Sequence, residues 1–388
     1  MRDFGQSLVI VCLAGAALAA QAPAAPPGAD PSPRQAPAPA GPGAPAGRVG
    51  APPTAPAPSP QAIEDAVKVL VDVRKALGGD QKLNAVRTLV ATGRTKRVSG
   101  ENLVPVEFQI DVELPDKYVR KDEIPAQESE PSSSGFNGES LIQIPPPPPP
   151  PPPAGAPAAS PAPARDAGPG PGGAAGAAPG GRPARPPMTP QQQQEIQRRT
   201  RVGTLKQDFA RLTLGMFATS FPSFPLTFSH AGQAEAPQGK ADVIDVKGTG
   251  NFAARLFVMT DTKLPVMLSW TQPVTPANIV ILNPGQARPA TLAPGAIVVE
   301  GPTPLAAGAS KEDQDAYARA VGALRQKTMA SAKPIEHRLY YQDYRDVDGL
   351  QFPFKLRRAV GADTIEETTF DRFRLNAKID AKKFEPVK

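Results

Sequence analysis

His230 and His337 are the only histidines among the 388 residues, and they sit in unlike surroundings. With Cys12 as the single cysteine, the chain offers no set of imidazole and thiolate ligands at metal-binding spacing. Gly248-Thr249-Gly250-Asn251-Phe252-Ala253 has the spacing of a dinucleotide-binding turn. That chemistry needs a helix directly after the glycines, to turn backbone N–H groups onto a pyrophosphate. Arg255 to Thr260 reads as strand instead, so the glycines predict a hairpin turn. Asp346-Val347-Asp348-Gly349 opens like a calcium loop, but Arg357 stands where the loop needs a bidentate glutamate. Glu366 and Glu367 fall on opposite faces of a predicted strand and make no acid–base pair. Neither G-x-S-x-G nor H-E-x-x-H occurs. The expectation is a protein without catalytic residues, metal or cofactor, and therefore not an enzyme.

What remains is apolar surface, and one stretch organises it. Val104, Val106, Phe108, Ile110, Val112 and Leu114 alternate with Pro105, Glu107, Gln109, Asp111 and Glu113. Strict period 2 over this length predicts a strand with one apolar and one wet face. At about 3.4 Å per residue it runs roughly 37 Å, about twice the usual length. Leu264, Val266, Leu268 and Trp270 continue the same alternation, and so do Phe352, Phe354 and Leu356. Further strands are predicted at 86–98, 117–123, 140–144, 241–247, 252–259, 278–282, 335–345 and 364–375. Asp348-Gly349 marks a hairpin.

Three helical patterns accompany the strands. The first starts at Ser59 as N-cap with Pro60 behind it and stops at Gly78-Gly79. Ile63, Val67, Leu70, Val73 and Leu77 form its predicted buried stripe. Thr189-Pro190 opens a second of up to thirty residues, with Ile196, Leu205, Phe209, Leu212 and Met216 on its apolar side. A third, 311–328, begins at Ser310-x-x-Asp313 and looks like an insertion. Strands in runs with few helices predict an α+β fold on an antiparallel sheet. Nine to eleven strands at about 4.8 Å spacing would make a sheet of roughly 45–50 Å, which two core helices cover only in part. The sheet should therefore curl into a half-open β-barrel with covering helices. The strand residues expected to line its hollow are Val106, Phe108, Ile110, Val112, Val266, Leu268, Trp270, Phe352 and Phe354.

Composition divides the chain. Residues 1–20 read as a signal peptide, with Arg2, an apolar stretch from Leu8 and Ala17-Leu18-Ala19 as cleavage site. Cys12 lies inside that stretch without a small residue before it, so it is not read as a lipidation site, and cleavage leaves no thiol. Most of the 51 prolines lie in 22–60 and 145–190, where Ala and Gly are also abundant. Such segments bury too little apolar surface to offset their ordering entropy. The expected organisation is a disordered linker at 21–59 and a domain at 60–388, interrupted by a disordered Pro/Gly-rich insertion at 145–188. The net charge of +6 is modest. Arg182, Arg185, Arg198, Arg199, Arg201 and Lys206 read as a solvated helix face, with an anionic membrane surface as the functional alternative. An exported chain has little access to nucleic acid.

Three short patterns, in order, resemble the LolA/LolB-like family of periplasmic lipoprotein carriers. Val104 to Asp122 is similar to its long strand, proline and returning strand. Gly135-Phe136-Asn137-Gly138-Glu139-Ser140-Leu141-Ile142 resembles its D-G-x-x-L-W hairpin, and Asp380 to Pro386 its closing D-x-x-x-F-x-P motif. The family's arginine before the strand-ending proline is Leu114 here. The resemblance implies a half-open barrel in the periplasm whose helical lid, here Phe209, Leu212 and Met216 on the second helix, closes over acyl chains of lipids or lipoproteins. Two functions stay open. One is an exported acyl-chain carrier; the other is a non-catalytic envelope scaffold whose Pro-rich arms contact envelope proteins or the membrane surface.

Overall fold

A computed structural model describes residues 57–99, 102–125, 130–146, 189–236, 239–289, 292–306 and 308–386. The expected signal peptide, the linker as far as residue 56 and the insertion from 147 to 188 lie outside the described residues.

Helix α1 (Pro60–Ala76) starts where the sequence predicts, its first turn capped by the Ser59 side chain accepting from the Ala62 N–H. A short α2 (Asp80–Ala85) follows. Strands β1 (Thr88–Ser99), β2 (Asn102–Glu113), β3 (Lys117–Glu123), β4 (Ser132–Asn137) and β5 (Ser140–Ile144) form one antiparallel meander. Helix α3 (Pro190–Phe217) opens with a capping box between Thr189 and Gln192. A second meander comprises β6 (Leu226–Ala236), β7 (Gly239–Gly248), β8 (Ala253–Met259) and β9 (Pro265–Gln272). A small unit is appended next: the parallel pair β10 (Ile279–Leu282) and β11 (Ile297–Glu300), then α4 (Lys311–Ser331). The last strands are β12 (Ile335–Val347), β13 (Leu350–Val360) and β14 (Asp363–Leu375).

These last strands join the two meanders. The twelve-stranded sheet runs β5-β4-β3-β2-β1-β14-β13-β12-β9-β8-β7-β6, with β14 paired to β1 and β12 to β9. Its ends, β5 and β6, do not pair, so the sheet stays open while its concave face closes on α1 and α3 around one core cluster. This is the α+β half-open barrel the alternation predicts. The Gly248–Phe252 segment is a hairpin turn closed by the Gly248 N–H donating to the Phe252 carbonyl at 2.9 Å. Asp348 and Gly349, both at positive φ, make the predicted β12–β13 turn.

The wet face of β2 is not wet throughout. Asp111 is buried on the convex face, where both its carboxylate oxygens accept from Lys383 Nζ at 3.0 Å. Lys383 sits in a short 3-10 turn, Ala381–Phe384, capped by the Asp380 side chain. Phe384 packs there on Val119 and Ile142, and its carbonyl accepts from Asn137 Nδ2 at 3.1 Å. The closing Asp-x-x-x-Phe pattern is thus a strap over the convex side: the aspartate shapes the turn and the phenylalanine seats it.

Helix α1 departs from its predicted stripe. Ala66, Leu70, Val73 and Leu77 face the core, whereas Ile63 and Val67 are 44% and 54% exposed. Periodicity alone does not choose between two adjacent ridges of one helix, and the ridge that carries the small Ala66 lets α1 lie close to the sheet. On this account Leu70→Ala should cost about 2–5 kcal/mol of stability and Val67→Ala less than about 0.5 kcal/mol. Urea denaturation checks both; equal losses would place the buried ridge of α1 elsewhere.

Candidate ligand-binding cleft

Helix α3 crosses the concave face, and tyrosines of β12 hold it there. The Tyr341 hydroxyl donates to the Arg211 carbonyl, and the Tyr344 hydroxyl to the Gly215 carbonyl at 2.8 Å. A Cβ on Gly215 would come within 2.3 Å of the Tyr341 ring, so only glycine allows this approach. Burial pushes both phenols up, which keeps them neutral donors. At the first meander, Phe209 fills the hollow between Tyr118 and Phe136, with ring centroids 5.5 and 5.6 Å away. Lys206, itself buried, pairs with Glu139 in the β4–β5 turn. Near the other pole Phe217, Phe352, Phe373 and Phe354 pack in sequence with centroids 5.1–5.8 Å apart, edge to face at both ends and stacked between Phe352 and Phe373.

Nine of the twelve residues expected to line the hollow lie in the core cluster: Phe108, Ile110, Val112, Phe209, Met216, Leu268, Trp270, Phe352 and Phe354. Leu212 packs against it, half-buried. Val106 is buried but outside the cluster. Val266 is also outside, because β9 shifts register there: Leu256 faces Leu268, but Val258 faces Pro265.

Between α3 and the sheet a cleft of about 230 Å³ remains. Ile110, Leu212 and Trp270 line it, with Tyr118, Leu205, Leu339, Leu356 and Phe370. Four arginines (Arg97, Arg120, Arg211, Arg358) and three carboxylates (Asp122, Asp208, Glu366) complete it. Arg120 pairs with Asp122 at 2.6 Å and lies over the Phe108 ring. Arg97 pairs with Glu366 at 3.1 Å, and Arg211 with Asp208 at 2.7 Å. Sequence reasoning missed these charged groups, although those on strands continue apolar stripes at period 2, Asp208 and Arg211 being on α3. Arg120 and Asp122 follow Tyr118, Arg358 follows Leu356, and Glu366 precedes Thr368 and Phe370.

No protein-family model and no curated protein matches the chain. Several solved structures do resemble it. A DUF1329 family protein from Desulfovibrio piger overlaps 84% of this chain and 97% of its own at 6% identity, with a TM-score of 0.33. An outer membrane lipoprotein-sorting protein domain from Vibrio parahaemolyticus overlaps 83% and 97% at 6% identity and 0.36. A LolA superfamily protein from Nitrosomonas europaea overlaps 82% and 97% at 8% identity and 0.37. At these TM-scores the neighbours add nothing to the fold, which rests on the strand order and helix placement above.

His337 stacks on Trp270 at the edge of the cleft, with centroids 5.4 Å apart. Burial, then the charges of Arg358 and Arg211, hold its imidazole below the ordinary 6.5. Above that value both folded and unfolded chains carry it neutral. As pH falls below it the unfolded chain takes up the proton first, so the contribution of His337 to stability is lost on acidification. The melting temperature should therefore drop between about pH 7.5 and about pH 5.5, and His337→Asn should shrink that drop. An unchanged drop in the variant would show that other groups set it.

Proposed function

We propose that the protein is a non-catalytic carrier that holds an acyl chain of a lipid or lipoprotein between α3 and the concave face of the half-barrel. We also propose that it works in the periplasm, exported by residues 1–20, with 21–59 and 145–188 as disordered spacers. The observation that carries the reading is the cleft itself: α3 alone roofs it, over a floor whose apolar part, Ile110, Tyr118, Trp270 and Phe370, is continuous with the core and is flanked by the charged groups above. Among the described residues no helix is long and apolar enough to cross a membrane. The last two turns of α3, Arg211 to Phe217, are pinned by Tyr341, Tyr344 and the Arg74 guanidinium, which donates to the Phe217 carbonyl at 2.8 Å. The N-terminal half of α3 is mostly exposed, and among the described residues Arg198 and Arg199 there pair only with Glu195.

The cleft is smaller than the ~300–1,000 Å³ of ordinary ligand pockets, so a full chain enters only as α3 ahead of Arg211 lifts, releasing the Lys206–Glu139 pair and the Arg201–Gln143 hydrogen bond. Leu205 and Phe209 would then turn from plug to wall, opposite Ile110 and Trp270, with Leu212 at the hinge. The driving force is ample, since each buried methylene contributes about 0.8 kcal/mol, or up to roughly 12 kcal/mol for sixteen carbons before ordering costs. The scaffold reading draws on a different observation, the exposed apolar stripe Ile63, Val67 and Val71 on α1.

Native mass spectrometry of protein purified from membranes and displacement of a fluorescent fatty acid test the carrier directly. Co-purifying lipid and saturable uptake are expected, with Leu212→Gln weakening uptake at least fivefold while circular dichroism stays unchanged. No bound lipid and no saturable uptake would overturn the carrier and favour the scaffold.

A further inference from the structure

Around Trp270 the cleft holds more hydrogen-bond donors than the described residues satisfy. The indole is 5% exposed, and its Nε1 has no partner among them. Arg211 is 6% exposed; its two terminal nitrogens reach Asp208 and Gln207, but its Nε has no partner among the described residues. The same holds for Arg358 Nε and His337 Nδ1. All four groups meet at one ring: Arg211 lies over the indole at 4.4 Å, Arg358 at 5.6 Å, and His337 stacks on it. Native proteins leave few buried donors unpaired, and such groups gather where a ligand completes them.

The charge balance points the same way. Asp122, Asp208 and Glu366 are engaged by Arg120, Arg211 and Arg97. Arg358 has no salt bridge among the described residues, which leaves the cleft one positive charge in excess beside the orphaned donors. Burial and the neighbouring Arg358 pull the Arg211 guanidinium below its ordinary range, outweighing Asp208. Two guanidiniums and an imidazole are thus crowded around one aromatic ring, a cost that a bound anion would relieve.

We propose that Arg211, Arg358, Trp270 and His337 form a binding site for an oxyanion, a phosphate or carboxylate that is free or at the head of an amphiphile. Trp270 supplies one N–H, the arginines supply charge and further N–H donors, and His337 gives a donor on its Nδ1 tautomer. The site goes beyond the acyl-chain reading and does not require it. Where both hold, the chain lies on the apolar floor and the acidic head at Trp270.

The chain has a single tryptophan, so fluorescence excited selectively at tryptophan, clear of the five tyrosines, reports on this site. The full chain is titrated at matched ionic strength with inorganic phosphate, lysophosphatidic acid, a fatty acid and a neutral monoacylglycerol. A saturable change with phosphate, or with an acidic amphiphile, is expected. Arg358→Gln should weaken it at least tenfold, and Arg94→Gln, at an exposed arginine, should leave it unchanged. A response to phosphate supports a free-anion site; a response to the acidic amphiphiles alone supports a head-group site. Equal affinity for the neutral monoacylglycerol, unaltered in Arg358→Gln, would overturn the anion site and leave the acyl carrier standing. Fluorescent fatty-acid uptake that fails while phosphate still saturates would do the reverse. Should Arg358→Gln not fold, the melting temperature of the wild type decides: phosphate or lysophosphatidic acid should raise it saturably, and equivalent chloride or the neutral monoacylglycerol should not. No saturable rise with either anion would show that water fills a merely polar crevice.

Discussion

A buried tyrosine sets where α3 lies. Tyr341 offers its ring to Gly215 and its hydroxyl to the Arg211 carbonyl, and both contacts are lost if the helix slides by one residue. With the helix placed there, Phe209 meets Tyr118 and Phe136 at one end and Phe217 meets Phe352 at the other. The same placement brings Arg211 over Trp270. An open sheet of this width has no partner strand to complete it, so its concave face depends on this single docking geometry.

Much of this plan was open to sequence reasoning, because a one-sided sheet writes its orientation into every second residue. The alternation of β2 held, as did the caps at Ser59, Thr189 and Ser310 and the turn at Asp348-Gly349. Strand β6 escaped. It is an edge strand whose apolar residues, Leu226 and Phe228, stand at one end, ahead of a polar run with a bulge near Gly232. Strand β4, with Ser132-Ser133-Ser134, carries equally little apolar signal.

The cleft was legible only in part. Hydrophobic stripes lead the eye to residues that fill space, and Phe209, Phe352 and Phe354 do so here. The groups that give the cleft its chemical character lie one step further along the same stripes, where apolar residues give way to Arg120, Arg358 and Glu366. Parity places them on the concave face, but only the sheet order shows that strands far apart in sequence bring them together. Asp111 shows the converse. Its parity reads as solvent-facing, yet a strap arriving from residues 379–384 covers it.

The sheet order also governs how the molecule can be assembled. Strands β12 to β14 lie in the middle of the sheet, and β1 pairs with β14 across nearly the whole length of the domain. Until these strands leave the ribosome, each meander presents a raw edge, and α3 has no Tyr341 to rest on. Closure must therefore wait for the last part of the chain, and contacts so distant in sequence form slowly. A polypeptide built this way cannot complete its sheet before its last strands are made, so the order of its strands defers the finished fold to the end of synthesis.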